Sequence, residues 1–299
     1  MSQLKTRLLK DTIGKYTMQA LVWFSIMVVL AIGFGLYLKS RPLLELKPLS
    51  ELLFSSDWAP GRGSFGLYPF IMSTLWVTFT AMIIAVPPCI LCAIYLTEYA
   101  NVKVSNFVRP IIDMIAGVPS VIFGVWGLII IVPFIKDEMG PFLGIETSGR
   151  TVLAGGIVLA VSVFPVIIQL LVELFKSIPT ELREASLSIG ATKWQTIKWV
   201  MLRKAGPGVV SAVVIAFCRA FGETMSVIMV TGNVVMVPRS IFDPAYPLPS
   251  LIANSYGETM SIPIYDSALM FVAFILFAII LIFNLIARYV LRLVEKSSI

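Results

Sequence analysis

Six stretches of this chain stay apolar for about 20 residues or more: 17–38, 69–96, 107–135, 151–175, 208–235 and 265–286. A helix needs roughly 20 mostly apolar residues to cross a hydrocarbon core about 30 Å thick. In that medium the backbone polar groups must be satisfied without water, which a helix does within one segment. The expected fold is therefore all-α and integral to the membrane, with six transmembrane helices. Composition agrees: 58% of the 299 residues are hydrophobic and only 13% charged, against about a quarter charged in a soluble domain. That excludes a soluble enzyme. With 19 Phe, 9 Tyr and 6 Trp, disorder is excluded as well. The first run is too long for a signal-peptide core and no small-residue cleavage site follows, so it is expected to remain as an anchor.

The net charge of +6 would suggest nucleic acid in a soluble protein, but here the positions of the basic residues report orientation. Counted over alternate connections, one side of the membrane receives fifteen Lys and Arg and the other seven. The heavier side holds both termini, so both are expected in the cytoplasm, and no nucleic-acid partner is expected. Arg219 is left over, inside a span. The absence of His removes imidazole metal sites, bases and proton relays. Cys89, Cys92 and Cys218 all fall in apolar runs, which points neither to a disulfide framework nor to a thiolate metal site. No Gly-x-x-x-x-Gly-Lys-Ser/Thr phosphate loop occurs, so any ATP and Mg would belong to a partner.

Gly and Pro interrupt the runs at Pro87-Pro88, Gly117-Val118-Pro119 and Gly124 to Gly127. Such residues are tolerated where neighbouring helices re-satisfy the backbone or a cavity is lined, and small residues also permit close helix packing. The Gly117–Ser120 break offers either a simple kink or backbone N–H groups for an anion. Gly222-Glu223-Thr224-Met225 is echoed at Gly257-Glu258-Thr259-Met260, without matching flanks.

Between the fourth and fifth runs lies a connection of nearly thirty residues, 177–204. It is long beside the roughly 2–8 residues usual between helices. Pro179 at a first helical position, followed by acidic residues, marks a helix start. Gly190 should end that helix, and a second, amphipathic one carrying Trp194, Ile197 and Trp199 should begin near Thr192. A helix-turn-helix on the cytoplasmic face with its own caps reads as a docking surface; a capped surface helix without a partner is the plainer reading. Here Glu184-Ala185-Ser186, three residues, then Gly190 resembles the EAA loop of the membrane subunits of binding-protein-dependent ABC importers. The resemblance implies a coupling helix that fits a cleft in an ATPase subunit, with Glu184, Ala185, Ser186 and Gly190 forming the coupling residues. The chain departs from that pattern in having Ser186 for an Ala and in delaying the later proline to Pro207.

The segment Arg219-Ala220-Phe221-Gly222-Glu223-Thr224 places a cation and a carboxylate at i and i+4, one turn apart on one face. Counted from 208, Arg219 is about 17 Å into the span, near the midplane. Charges at that depth normally pair or face a polar path, and a guanidinium fork suits phosphate-type oxyanions. A helix-packing salt bridge is the alternative. Arg109 and Asp113 repeat the spacing nearer a span end, where pairing and snorkelling suffice. Glu173 and Asp266 lie near span ends and read as interfacial.

The stretch from Arg219 to Thr224 is similar to the Arg-Ala-x-Gly-Glu-Thr signature of phosphate-specific ABC importer permeases. Met225 and the later Gly232-Asn233 agree with the PstC-type subunit. So do Gly66 to Thr74, Leu96-Thr97-Glu98-Tyr99-Ala100 and Ala116 to Gly124. The resemblance implies a type I ABC importer-like core at 65–290 after a first helix and extracytoplasmic loop at 17–64. Short cytoplasmic segments at 1–16 and 291–299 flank these. It further implies that Arg219, Glu223 and Thr224 line the substrate pathway, and that phosphate moves inward by alternating access. The implied partners are a second, PstA-type permease in a heterodimer, two PstB-type ATPase subunits holding ATP and Mg, an extracytoplasmic PstS-type phosphate-binding protein, and membrane lipid. The alternatives are the PstA-type partner itself, a permease for molybdate, tungstate or sulfate, or a stand-alone secondary transporter or channel. The long loop and the lack of inverted repeats speak against the last.

Overall fold

The computed structural model describes residues 2–257 and 263–297. A long first helix, α1 (Ser2–Leu46), takes in the expected N-terminal segment and first run. A short α2 (Leu49–Phe54) follows, then an antiparallel ribbon of β1 (Trp58–Ala59) and β2 (Ser64–Phe65), with Trp58 opposite Phe65. The bundle continues with α3 (Tyr68–Ile94), α4 (Val102–Ala116), α5 (Ser120–Trp126), α6 (Gly140–Leu143) and α7 (Val152–Lys176). The long loop carries α8 (Thr180–Ser188) and α9 (Lys193–Gln195); after it come α10 (Leu202–Phe221), α11 (Met225–Ile228), α12 (Leu248–Ser255) and α13 (Pro263–Ser297). Wide i→i+5 turns extend α3 over Tyr95–Tyr99, prolong α5 over Gly127–Ile131 and Phe134–Met139, and join α9 to α10 over Thr196–Met201.

Among the described residues six helical spans are long and apolar enough to cross a membrane: Asp11–Leu46, Tyr68–Tyr99, Ser120–Leu143, Val152–Lys176, Lys193–Phe221 and Ile264–Ile286. Their number matches the sequence expectation, but the third and fifth are displaced along the chain. The third run does not begin at 107, because Pro119 lacks an N–H and disfavours helical geometry at Val118. Gly117 instead closes α4, donating to the carbonyls of Asp113 and Met114, and the span restarts at Ser120. The fifth begins fifteen residues before the expected 208 and stops at Phe221 rather than running to 235. Its early start comes from Thr192, whose hydroxyl caps Gln195 N while the Gln195 side chain accepts from Thr192 N. The second loop helix is thus the first part of the span and not a separate surface element. Pro87-Pro88 leave α3 unbroken. Within the repeated tetrapeptide, Glu258, Thr259 and Met260 lie outside the described residues.

Between helices in lipid, packing rather than the hydrophobic effect supplies the attraction, so small residues matter at contacts. Gly155 and Gly156 let α7 lie against α3: a Cβ on Gly156 would come 2.9 Å from Cβ of Thr80. Ala81, Ala85, Ala160, Ile167 and Leu171 fill this core. Towards the Tyr68 end of α3, Leu52, Phe65, Phe70, Leu251 and Phe271 form a second core. There the Trp58 ring packs edge-on against Phe65 and Phe70, which pins the ribbon to the bundle. Helix α1 lies outside: no residue of its most apolar stretch is buried in this chain, and its contact is with α13, where Gly33 admits the Phe277 ring.

Candidate functional site

The last turn of α10 is fixed by aromatic packing. Phe217 lies 5.5 Å from the Phe79 ring of α3 and 4.8 Å from Phe283 of α13, and Phe221 is buried beside it. With Ala216 and Ala220 also buried, one face of α10 is committed to the bundle. Arg219 falls on the opposite face with Ile215, and is exposed on this chain. The end of α10 is inside the span: Ala220, Phe221 and Glu223 gather with Thr74, Thr78 and Leu159, and Leu159 is about two turns into α7.

Arg219 and Glu223 do not form an ion pair among the described residues. The i, i+4 register needs a continuous helix, and α10 ends at Phe221. Glu223 turns back on the break, its Oε1 accepting from Thr224 N at 3.2 Å, while the Thr224 hydroxyl donates to the Gly222 carbonyl at 3.4 Å. Arg219 makes no hydrogen bond or ion pair with any described residue. Counted from Lys193, it is almost at the end of the helix, so the depth inferred from a start at 208 does not hold. Its position inside the span rests on its neighbours.

The chain resumes as α11, which is seated on α5. A Cβ on Gly124 would stand 3.1 Å from both Met225 O and Ser226 Cα. The restart after Glu223-Thr224 is therefore packed on the restart after Gly117–Pro119, and the two interrupted spans support one another. At Gly117 and Val118 the N–H groups are used within α4, on Asp113, Met114 and Ile115 carbonyls, which leaves a kink there. Gly232 (φ +87°) and Asn233 (φ +53°) are consecutive left-handed residues that reverse the chain. The Asn233 side chain donates to Ile228 O at 2.8 Å and ties the reversal to α11.

The long loop forms a second candidate surface. Gly190 adopts φ +88°, ending α8 in a conformation costly to other residues, with open space around it. Ser186, where the resembled pattern has Ala, is buried, and its hydroxyl lies 2.9 Å from that of Thr196. It fastens α8 to the start of the fifth span. Glu184 and Ala185 face outward with Leu182, Leu187 and Trp194, and Ile189 is 85% exposed. Four large apolar side chains are thus exposed around the turn.

Two ties between this loop and α3 have no counterpart in the sequence reading. Glu98, 9% exposed, meets Arg183 of α8 at 3.0 Å, and Arg183 also donates to Phe175 O at 2.8 Å. Lys193 Nζ stands 4.7 Å over the Tyr99 ring. The available signal was a carboxylate closing an apolar run, Leu96-Thr97-Glu98-Tyr99.

Residues 89–297 match the family described as "Binding-protein-dependent transport system inner membrane component". The chain is 32% identical to the phosphate transport system permease protein PstC of Xylella fastidiosa, over 96% of this chain and 93% of that one. It is 35% identical to the probable ABC transporter permease protein YqgH of Bacillus subtilis, over 90% and 86%. Among solved structures, a chain of the inward-facing MetNI methionine ABC transporter superposes with a TM-score of 0.55 at 25% identity, covering 77% of this chain and 94% of that one. A chain of a bacterial alginate ABC transporter gives 0.63 at 17% identity, over 97% and 99%; this second likeness bears on the fold alone.

Proposed function

The chain belongs to the binding-protein-dependent transport system inner membrane component family, a multi-pass permease of ABC importers, and from that premise we propose that it translocates inorganic phosphate inward. The observation that carries the reading is Arg219, a guanidinium inside a span, exposed on this chain and without a partner among the described residues. A cation inside a span is costly if lipid covers it. Against a second permease with a polar path between the two, the same fork can receive an oxyanion through two parallel, charge-assisted hydrogen bonds. PstC proteins, to which the chain is similar, are phosphate permeases by name.

The partners follow from the likeness to PstC permeases. A PstA-type permease covers the Arg219 face, PstB-type subunits hold ATP and Mg and dock on 177–204, and a PstS-type protein delivers phosphate on the other side. Both termini and the loop are cytoplasmic in this reading, because that side receives fifteen Lys and Arg against seven on the other. Closure of the ATPase pair pushes on α8 and Gly190. The push passes to α3 through Glu98–Arg183 and Tyr99–Lys193. It also passes along the helix that starts at Lys193 and ends beside Arg219, about 43 Å of nearly continuous rod. Rocking of these two helices alternates access to Arg219, with Glu223 and Thr224 shaping the break beside it.

Arg219→Gln tests the role. Phosphate uptake by the assembled complex should fall at least tenfold, since hydrogen bonds to a charged group contribute about 1.5–3 kcal/mol and tenfold corresponds to about 1.4 kcal/mol. Partner subunits should still co-purify. Unchanged uptake would remove Arg219 from the pathway.

A further inference from the structure

Sequence spacing pairs Arg109 with Asp113, yet the structure separates them. Asp113 Oδ1 accepts instead from Gln169 Nε2 of α7 at 2.6 Å. Arg109 is left with no hydrogen-bond or ion-pair partner among the described residues, and its Nε is sealed from solvent without an acceptor. Around it, between the end of α3, α4 and the last two turns of α7, lies a cavity of about 180 Å³. Its polar lining is Arg109, Asp113, Gln169, Glu173 and Lys176, and its apolar lining is Leu96, Ile112, Ile168 and Val172. The volume would hold about six waters. It opens where α3 and α7 reach the end of their spans, at the depth of lipid headgroups, far along both helices from the Glu223 break.

We propose that this cavity binds the headgroup of an aminophospholipid, a phosphate diester with an ethanolamine ammonium beside it. Arg109 and Lys176 supply the donors for the phosphate oxygens, Glu173 accepts from the ammonium, and the apolar wall takes the glycerol and the first acyl carbons. Asp113 is already engaged by Gln169, so it holds the wall of the site rather than competing for the ligand. The charge pattern selects this occupant. A free phosphate dianion would meet two cations but also two carboxylates, whereas a zwitterion meets opposite charge at both ends. The occupied site would brace α4 against α7 close to the loop and give Arg109 the acceptor it lacks.

The test is native mass spectrometry of the assembled importer, purified in detergent and exchanged with phosphatidylethanolamine, phosphatidylglycerol or millimolar inorganic phosphate. The wild type should retain phosphatidylethanolamine at least fivefold over phosphatidylglycerol. Glu173→Gln should abolish that preference, and Lys176→Gln should reduce total retention; both residues are exposed on this chain, so folding is not at issue. Arg109→Gln should reduce retention furthest. Equal retention of both lipids by the wild type, displacement of the lipid by inorganic phosphate, or retention unaffected by Glu173→Gln and Lys176→Gln would each overturn the proposal.

Discussion

Arg219 and Glu223 are four residues apart and were expected on one helical face, but Gly222 separates them into different conformational units. The residue types were legible in the sequence because a guanidinium inside an apolar run is costly wherever it points. Their relation was not, because it depends on where the helix stops, and that is decided by Phe217 and Phe221 packing on Phe79 and Phe283. Glu98–Arg183 was hidden for a similar reason: the two are far apart in sequence and only folding brings them together. A substitution at 219 that keeps charge but not the fork separates the two properties of the residue. Arg219→Lys should retain assembly and part of the uptake, about tenfold below wild type, while Arg219→Gln falls further. The readout is initial uptake of labelled phosphate by the reconstituted complex.

Among the helices, six apolar runs gave six spans, since length and hydropathy are properties of the segment itself. Boundaries were less accessible. The third span starts late because of a Gly-Val-Pro break that hydropathy passes over, and the fifth starts early because of a capping box outside the apolar run. The loop was read well up to Gly190, whose left-handed backbone was foreseeable from its place after α8. That conformation costs an ordinary residue about 1–2 kcal/mol, while Asn tolerates it. Gly190→Val should therefore lower phosphate-stimulated ATPase activity and co-purification of the ATPase, and Gly190→Asn should preserve both. If Val behaves like Asn, the turn is not part of coupling. The tie to α3 has its own signature. Glu98→Arg or Arg183→Glu alone should leave ATP hydrolysis running with little transport, and the double exchange should restore much of the transport. Rescue is what simple destabilisation would not produce, and the ratio of phosphate moved to ATP hydrolysed is the measurement.

At the scale of the molecule, the chain is an incomplete object. Helix α1 leaves its most apolar stretch exposed, Arg219 faces outward, and large apolar side chains stand open on the loop. Each exposed feature asks for a different covering: lipid, a polar permease surface and a docking cleft. Sequence composition indicated the membrane, and the resemblance indicated the family, which residues 89–297 bear out. The selectivity of the path rests on surfaces this chain supplies only in part, and it is the central claim to test. The direct measurement is ATP-dependent uptake of labelled phosphate into proteoliposomes holding the complete complex, with molybdate and sulfate as competitors. The account predicts uptake that requires ATP on the ATPase side and persists in equimolar molybdate or sulfate. Transport of either competitor in preference to phosphate, or phosphate uptake without ATP, would contradict it.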